Sequence, residues 1–204
     1  MNAQLAERRE AVETYHVFDI KTNASPEVLI KAAADGLARS TNSVVQNRPL
    51  VMGNQIPATP GRFQIVDPAA ALRGTGMGSI MAMAQAPGAM LLKSASCDGA
   101  VWTAKAVRDI PGSDRLDLYS CLYRYKDGYQ LKVYAVFQKA SGGLMELSRQ
   151  AAQALVGTPE QWVTKTIVDT VRSIQEATRV EVVRIEGQPE LGELPKVDRL
   201  TSAR

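Results

Sequence analysis

Between Val101 and Val156, three strand-like segments joined by two tight-turn signals lead directly into a helical stripe, and no other stretch constrains the fold as strongly. The segments VWTAKAVRDI, RLDLYSCLYRY and YQLKVYAVFQ are separated by Pro111-Gly112-Ser113-Asp114 and by Lys126-Asp127-Gly128. Asp-Gly and Pro-Gly signals between alternating residues tolerate the backbone angles of a tight reversal, so the spacing predicts consecutive antiparallel hairpins. Pairing about Asp127-Gly128 sets Leu122 opposite Val133 and Leu118 opposite Phe137. Pairing about Gly112-Ser113 sets Val107 opposite Leu118 and Thr103 opposite Leu122. Those residues, with Leu116, Leu131 and Ala135, form the expected core face. Side chains alternate across a strand, so Trp102, Ala104, Ala106, Tyr119, Cys121, Tyr123, Tyr134 and Val136 are expected on the other face. It suits the wall of a ligand groove or a partner surface. It suits equally the ordinary strand role in which Tyr and Trp bury a ring and leave a polar tip wet.

The flanking sequence completes the layout. Residues 1–14 form a charged segment read as a frayed helix, and Tyr15 to Thr22 alternates as a strand. Ser25-Pro26-Glu27 opens a helix with a cap residue, a proline at the first position and an acid in the first turn, and Val28, Leu29, Ala32, Ala33 and Leu37 supply its stripe. Residues 43–46 and 61–66 are short strand candidates around a proline-bearing connection. Leu144, Leu147, Ala151 and Leu155 mark a helix closed by Gly157. Thr158-Pro159-Glu160-Gln161 starts another, with Val163, Ile167, Val171 and Ile174 on one side. Residues 179–185 read as a last strand. The expected fold is α+β: one domain over residues 15–186, with a single twisted, mainly antiparallel sheet and helices packed on one face. The charged, proline-bearing residues 187–204 are expected to form a disordered tail.

Composition narrows the function classes. The chain has 204 residues, a formal charge of +3 and scattered rather than clustered lysines and arginines, which argues against nucleic acid as a partner. No apolar run reaches the ~20 residues of a membrane span. The single histidine, His16, falls inside a predicted strand, so triads and histidine-metal clusters have no members, and a structural role is expected. Arg73-Gly74-Thr75-Gly76-Met77-Gly78-Ser79 lacks both the glycine spacing of a dinucleotide loop and a Walker lysine. It begins a Gly/Met-rich segment, residues 74–92, that is expected to be mobile. Met77, Met81 and Met83, with Met90, Met52 or Cys97, resemble a Cu(I) ligand set only loosely, so no metal or cofactor is assigned.

The two cysteines allow one pairing, Cys97 with Cys121. A continuous strand from Cys97 to Val107 would put them on opposite faces, but a bulge or bend at Gly99 would re-aim Cys97 and permit the bond. A disulfide points to an exported protein of the periplasm or cell envelope, with a tether or lipid anchor upstream of the chain; free thiols would point to the cytoplasm. No signal peptide is legible at the N-terminus. The expected function is a non-enzymatic binding or assembly module with a protein partner, its candidate contact residues being Trp102, Tyr119, Tyr123, Tyr134, Met77, Met81 and Met83. The alternatives are a carrier of a small apolar ligand held between sheet and helices and gated by residues 74–90, and, third, a thiol enzyme using Cys97 or Cys121 beside Lys93 or Lys105.

Overall fold

The computed structural model describes residues 8–49, 55–68, 70, 92–110, 115–143 and 146–192, and among these it has eight strands and three helices. In chain order they are β1 (Arg8–Ile20), α1 (Pro26–Ala38), β2 (Ser43–Asn47), β3 (Arg62–Val66), β4 (Ser94–Asp98), β5 (Trp102–Arg108), β6 (Leu116–Tyr125), β7 (Gly128–Ser141), α2 (Glu146–Val156), α3 (Pro159–Thr178) and β8 (Val182–Gln188). Six strands form one sheet in the order β2-β5-β6-β7-β1-β8, and β3 with β4 forms a second, two-stranded sheet. Every pairing is antiparallel. The fold is therefore the expected α+β arrangement.

The large sheet is buried on one side by α1 and α3. Both begin with a proline at the first helical position, and Thr158 closes a full capping box with Gln161 on α3. The two helices approach closely because α1 carries Gly36 where any Cβ would collide with the backbone of Asp169 and Thr170. Leu29, Ala33 and Leu37 of α1 and Val163, Ile167 and Ile174 of α3 meet Leu116, Leu118, Leu122, Leu131, Ala135 and Phe137 in one core. A polar seam runs through the same layer: Ser40 donates to Asp169 at 2.6 Å, Lys165 donates to that carboxylate at 2.9 Å, and Arg108 donates to the Ser40 carbonyl.

Several expectations are corrected. The β6–β7 turn holds Lys126 and Asp127 rather than Asp127 and Gly128, so Leu122 pairs with Leu131 and Leu118 with Ala135. A shift of two residues keeps every side chain on its predicted face. The β5–β6 pairing is displaced by one instead: Arg108 pairs with Leu116, leaving an odd number of residues, 109–115, in the connection. That single step turns β5 over. Trp102, Ala104 and Ala106 lie on the helix side in the core, opposite Leu122, Ser120 and Leu118, while Thr103 and Val107 lie on the other side. The strand assigned to residues 15–22 reaches back to Arg8, because the far end of β7 offers Arg8–Thr14 a partner, Val12 against Phe137 among them. The charged residues 8–14 are thus part of the sheet, not a helix. At the other end, Gly187 and Gln188 belong to β8 rather than to a tail.

The helix marked by Leu147, Ala151 and Leu155 forms as α2 and ends at Gly157 in the left-handed region, φ 94°. It does not cover the sheet. None of its residues is buried, and Leu147 and Leu155 are 80% and 77% exposed. Its polar side holds it in place instead: Arg149 donates to the Ala140 carbonyl and Glu146 accepts from the Gly142 N–H.

Candidate functional site

The face of the large sheet away from the helices is half covered. Here β3 and β4 lie across it as a second layer, with Phe63 against Tyr15 at a ring separation of 5.3 Å and the Tyr123 hydroxyl donating to the Arg62 carbonyl at 3.0 Å. The layer exists because β4 and β5 are separate strands. Gly99, at φ +78°, breaks the chain between them and sends Cys97 over the sheet. Cys97 and Cys121 form a disulfide with Cα atoms 6.0 Å apart, joining β4 to β6. Cys121 and Tyr123 are fully buried beneath it with Ala100.

Among the described residues the sheet stays open beside β4, and its exposed part is a groove of about 410 Å³. Two cross-strand rows make its floor. Val45 of β2 pairs with Lys105 of β5, Lys105 with Tyr119 of β6, and Tyr119 with Tyr134 of β7; in the neighbouring row Asn47 pairs with Thr103 and Thr103 with Cys121. Residues 95–98 of β4 form one wall. Lys105 sits 5.1 Å above the Tyr119 ring and is ion-paired with Asp117 at 2.8 Å, while Tyr119 stacks on Tyr134 at 6.1 Å. Burial works against the Lys105 charge, yet hydrogen bonds to Asp117 and Tyr119 outweigh it and hold the ammonium above its ordinary pKa. Burial, reinforced by the hydrogen bond to Glu13, pushes the Tyr134 phenol up, and Glu13 in turn binds Lys93 at 2.8 Å. Lys105 therefore stays protonated and Tyr134 neutral near neutral pH. The groove can offer an aromatic ring, a cation with its counter-ion, amides and hydroxyls.

Of the residues singled out from the sequence, the structure gathers only some. Tyr119 is half-buried in the groove, Tyr134 lies beneath it, and Tyr123 is sealed under β3 and β4, its phenol pushed up by burial. Trp102 lies on the opposite face with its indole N–H donated to Gln46, so it is no part of the outer surface. Met52, Met77, Met81, Met83 and Met90 fall outside the described residues. Sequence reasoning named neither Val45 nor Thr103 as a lining residue, and gave Lys105 a different role. Their signal, alternation with Trp102 and Ala104, was present but depended on the register of β5.

The strongest cluster of potentially reactive groups lies elsewhere and is closed. Ser40 and Lys165 both donate to Asp169, but Ser40 and Asp169 are 1% and 4% exposed, which suits a clamp between α1, α3 and β5. Among the described residues no group of three or more His, Cys, Asp or Glu is placed to hold a metal ion, and no helix is long and apolar enough to cross a membrane. No protein-family model matches the chain, and no curated protein is significantly similar to it.

Proposed function

We propose that this protein is a non-enzymatic binding module acting outside the cytoplasm, tethered at the envelope, and that it receives a protein partner in the groove between β4 and the β2–β5 edge of the sheet. The observation that carries the reading is the construction of the groove. A covalent bond fixes one wall to the floor, and the floor presents Tyr119, Lys105 and Thr103 instead of closing over them. An aromatic ring with a cation above it and hydrogen-bonding neighbours is the composition of a recognition surface. Trp102, Phe137, Leu118 and Ile167 pack together between sheet and helices, which favours a partner in the groove over a small apolar ligand in that layer.

A photo-crosslinking residue placed at Ser96 or Thr103 in the native host is expected to give a discrete adduct to another protein, and the same probe at Val28 on α1 is expected to give none. Adducts of equal yield from both positions, or none from the groove, would overturn the partner assignment. The location is tested separately by intact mass with and without reduction before alkylation. A bonded Cys97–Cys121 pair and a processed or lipidated N-terminus support the envelope, whereas two alkylatable thiols on the unreduced protein reject it.

A further inference from the structure

His16 is the chain's one histidine and is 1% exposed, although β1 lies just one strand in from the β8 edge of the large sheet. Its Nδ1 has no hydrogen-bond partner among the described residues. A buried polar atom left in that state is uncommon and costs free energy. The ring leans over β8, where its paired residue is Gly187: a Cβ there would stand 2.2 Å from His16 Nδ1. Phe18 stacks beside the ring at 6.3 Å, Thr14 flanks it on the same side of β1, and the facing residue of β7 is Val133. Among the described residues, the charged groups that act on His16 are Arg184 of β8 and Glu190 just beyond it.

The strand that covers the ring is weakly held. Of the seven residues of β8 only Val182 is buried, and its pairing with β1 shifts register between Val17 and Phe18, directly beside His16. Among the described residues no strand flanks its outer side. Beyond β8, Leu191 packs on the core and the Gly192 N–H donates to the Thr164 hydroxyl of α3 at 3.2 Å. An edge strand with so little buried surface belongs to the low-stability end of a structure.

We infer that β8 with residues 189–192 is an acid-released strap: protonation of His16 frees it from β1 while the rest of the sheet stays folded. The inference goes beyond the partner reading and does not need it. The neutral ring fits beneath the strap. The imidazolium carries an N–H on both nitrogens, so Nδ1 becomes a donor with no acceptor facing it. Burial disfavours this cation first and Arg184 repels it; the attraction of Glu190, which is ion-paired with Arg184, is too small to offset them. Lifting the strap gives the ring water at the loss of one irregular ladder, whereas unfolding the sheet would also expose Leu131, Val133 and Ala135, so acid selects the strap. The opened form binds the proton better than the closed one. Closure is therefore fully favoured above pH 6.5 and weakens as pH falls from there through the closed-state pKa. Release leaves β1 unpaired on that side from Tyr15 to Ile20.

Hydrogen exchange on the purified full chain, corrected for the intrinsic pH dependence of exchange, tests this between about pH 7.5 and about pH 5, above the range of ordinary carboxylates. Protection of Val182–Gln188 is expected to fall by up to about tenfold per pH unit below 6.5, while Leu118, Leu131 and Phe137 keep theirs. His16→Gln, which cannot take up the proton, is expected to abolish that dependence. If this variant disturbs folding, the native chain decides, because a single histidine makes the ring resonances unambiguous: the ring is expected to titrate in step with the loss of β8 protection. The inference is overturned by protection lost equally in β8 and the central strands, or by β8 protection that ignores pH in this window. Acid opening that persists in His16→Gln, or a ring that titrates while β8 stays protected, overturns it as well.

Discussion

The two faces of the large sheet are built from the same strands, yet they are closed by different means. On the helix side, α1 and α3 cover Trp102, Leu118, Leu122 and Phe137 so completely that none is measurably exposed. On the outer side a two-stranded layer covers only part of the area, and tyrosines do much of the work. Tyr123 and Tyr134 bury their rings as fully as Trp102, but each sends its hydroxyl to a partner, the Arg62 carbonyl and the Glu13 carboxylate. Aromatic content is therefore a poor guide to which face is open. Among the described residues, exposure is set by where the two-stranded layer stops, at β4, and the groove is the part of the sheet beyond it.

The contrast predicts a large loss on the helix side. Trp102→Ala leaves a cavity where no solvent enters and strands the Gln46 amide that accepts its N–H, so it should cost about 3–5 kcal/mol of unfolding free energy in urea titrations. Tyr119→Ala, in the half-open groove, should cost about 1 kcal/mol or less. Equal losses at the two positions would mean that the outer layer is packed as tightly as the helix layer.

The disulfide sharpens the comparison next. Cys97 and Cys121 are 24 residues apart in sequence, and opening a loop of that size removes about 3 kcal/mol in the chain-entropy account. Cys97→Ser should therefore lower stability by about that amount. The loss should also be local: hydrogen exchange at Arg62–Val66 and Ser94–Asp98 should speed up while Leu118 and Phe137 amides keep their protection. Uniform loosening would show that both faces belong to one cooperative unit.

Acid provides a third, smaller probe, confined to the helix side. His16 is buried on β1 against Gly187 of β8, and its Nδ1 has no hydrogen-bond partner among the described residues. Burial, with Arg184 nearby and despite Glu190, lowers its pKa below the ordinary 6.5. The unfolded chain then binds a proton that the folded chain refuses, so the stability contribution is complete above pH 6.5 and is lost as pH falls from there through the folded pKa. The slope cannot exceed about 1.4 kcal/mol per pH unit for one group. His16→Gln should flatten that part of the stability profile. An unchanged profile would assign the acid sensitivity to carboxylates.

How much of this was legible in the residues follows from the physics of register. Moving the β6–β7 turn by one residue, from Asp127-Gly128 to Lys126-Asp127, shifts the pairing by two, which is harmless because strand side chains repeat every two residues. The β5–β6 connection was placed one residue off, which sent Trp102 to the wrong face and hid Thr103, Lys105 and Val45 as a groove floor. Turn composition narrows a reversal to a few residues, and parity needs a single one. The bend at Gly99 could be foreseen because the cysteine pairing demanded it. The β3–β4 layer that it creates could not, since nothing local in Arg62–Val66 says which sheet it joins. The helix of Leu147 and Leu155 shows the limit of periodicity: a stripe predicts a helix and an apolar side, not what that side meets.

That helix gives the smallest expected effect. Because Leu147 and Leu155 face solvent while Arg149 and Glu146 hold α2 to the end of β7, replacing an apolar residue should matter less than replacing a charged one, the reverse of the rule for α1 and α3. Leu155→Gln should shift stability by no more than about 0.5 kcal/mol. Arg149→Ala removes the bonds to the Ala140 carbonyl and to Glu146, and should raise hydrogen exchange across Glu146–Val156 without changing the global unfolding midpoint. A loss of several kcal/mol from Leu155→Gln in the isolated protein would mean that α2 packs its leucines inward after all, and the contrast between an apolar side that is used and one that is displayed would then collapse.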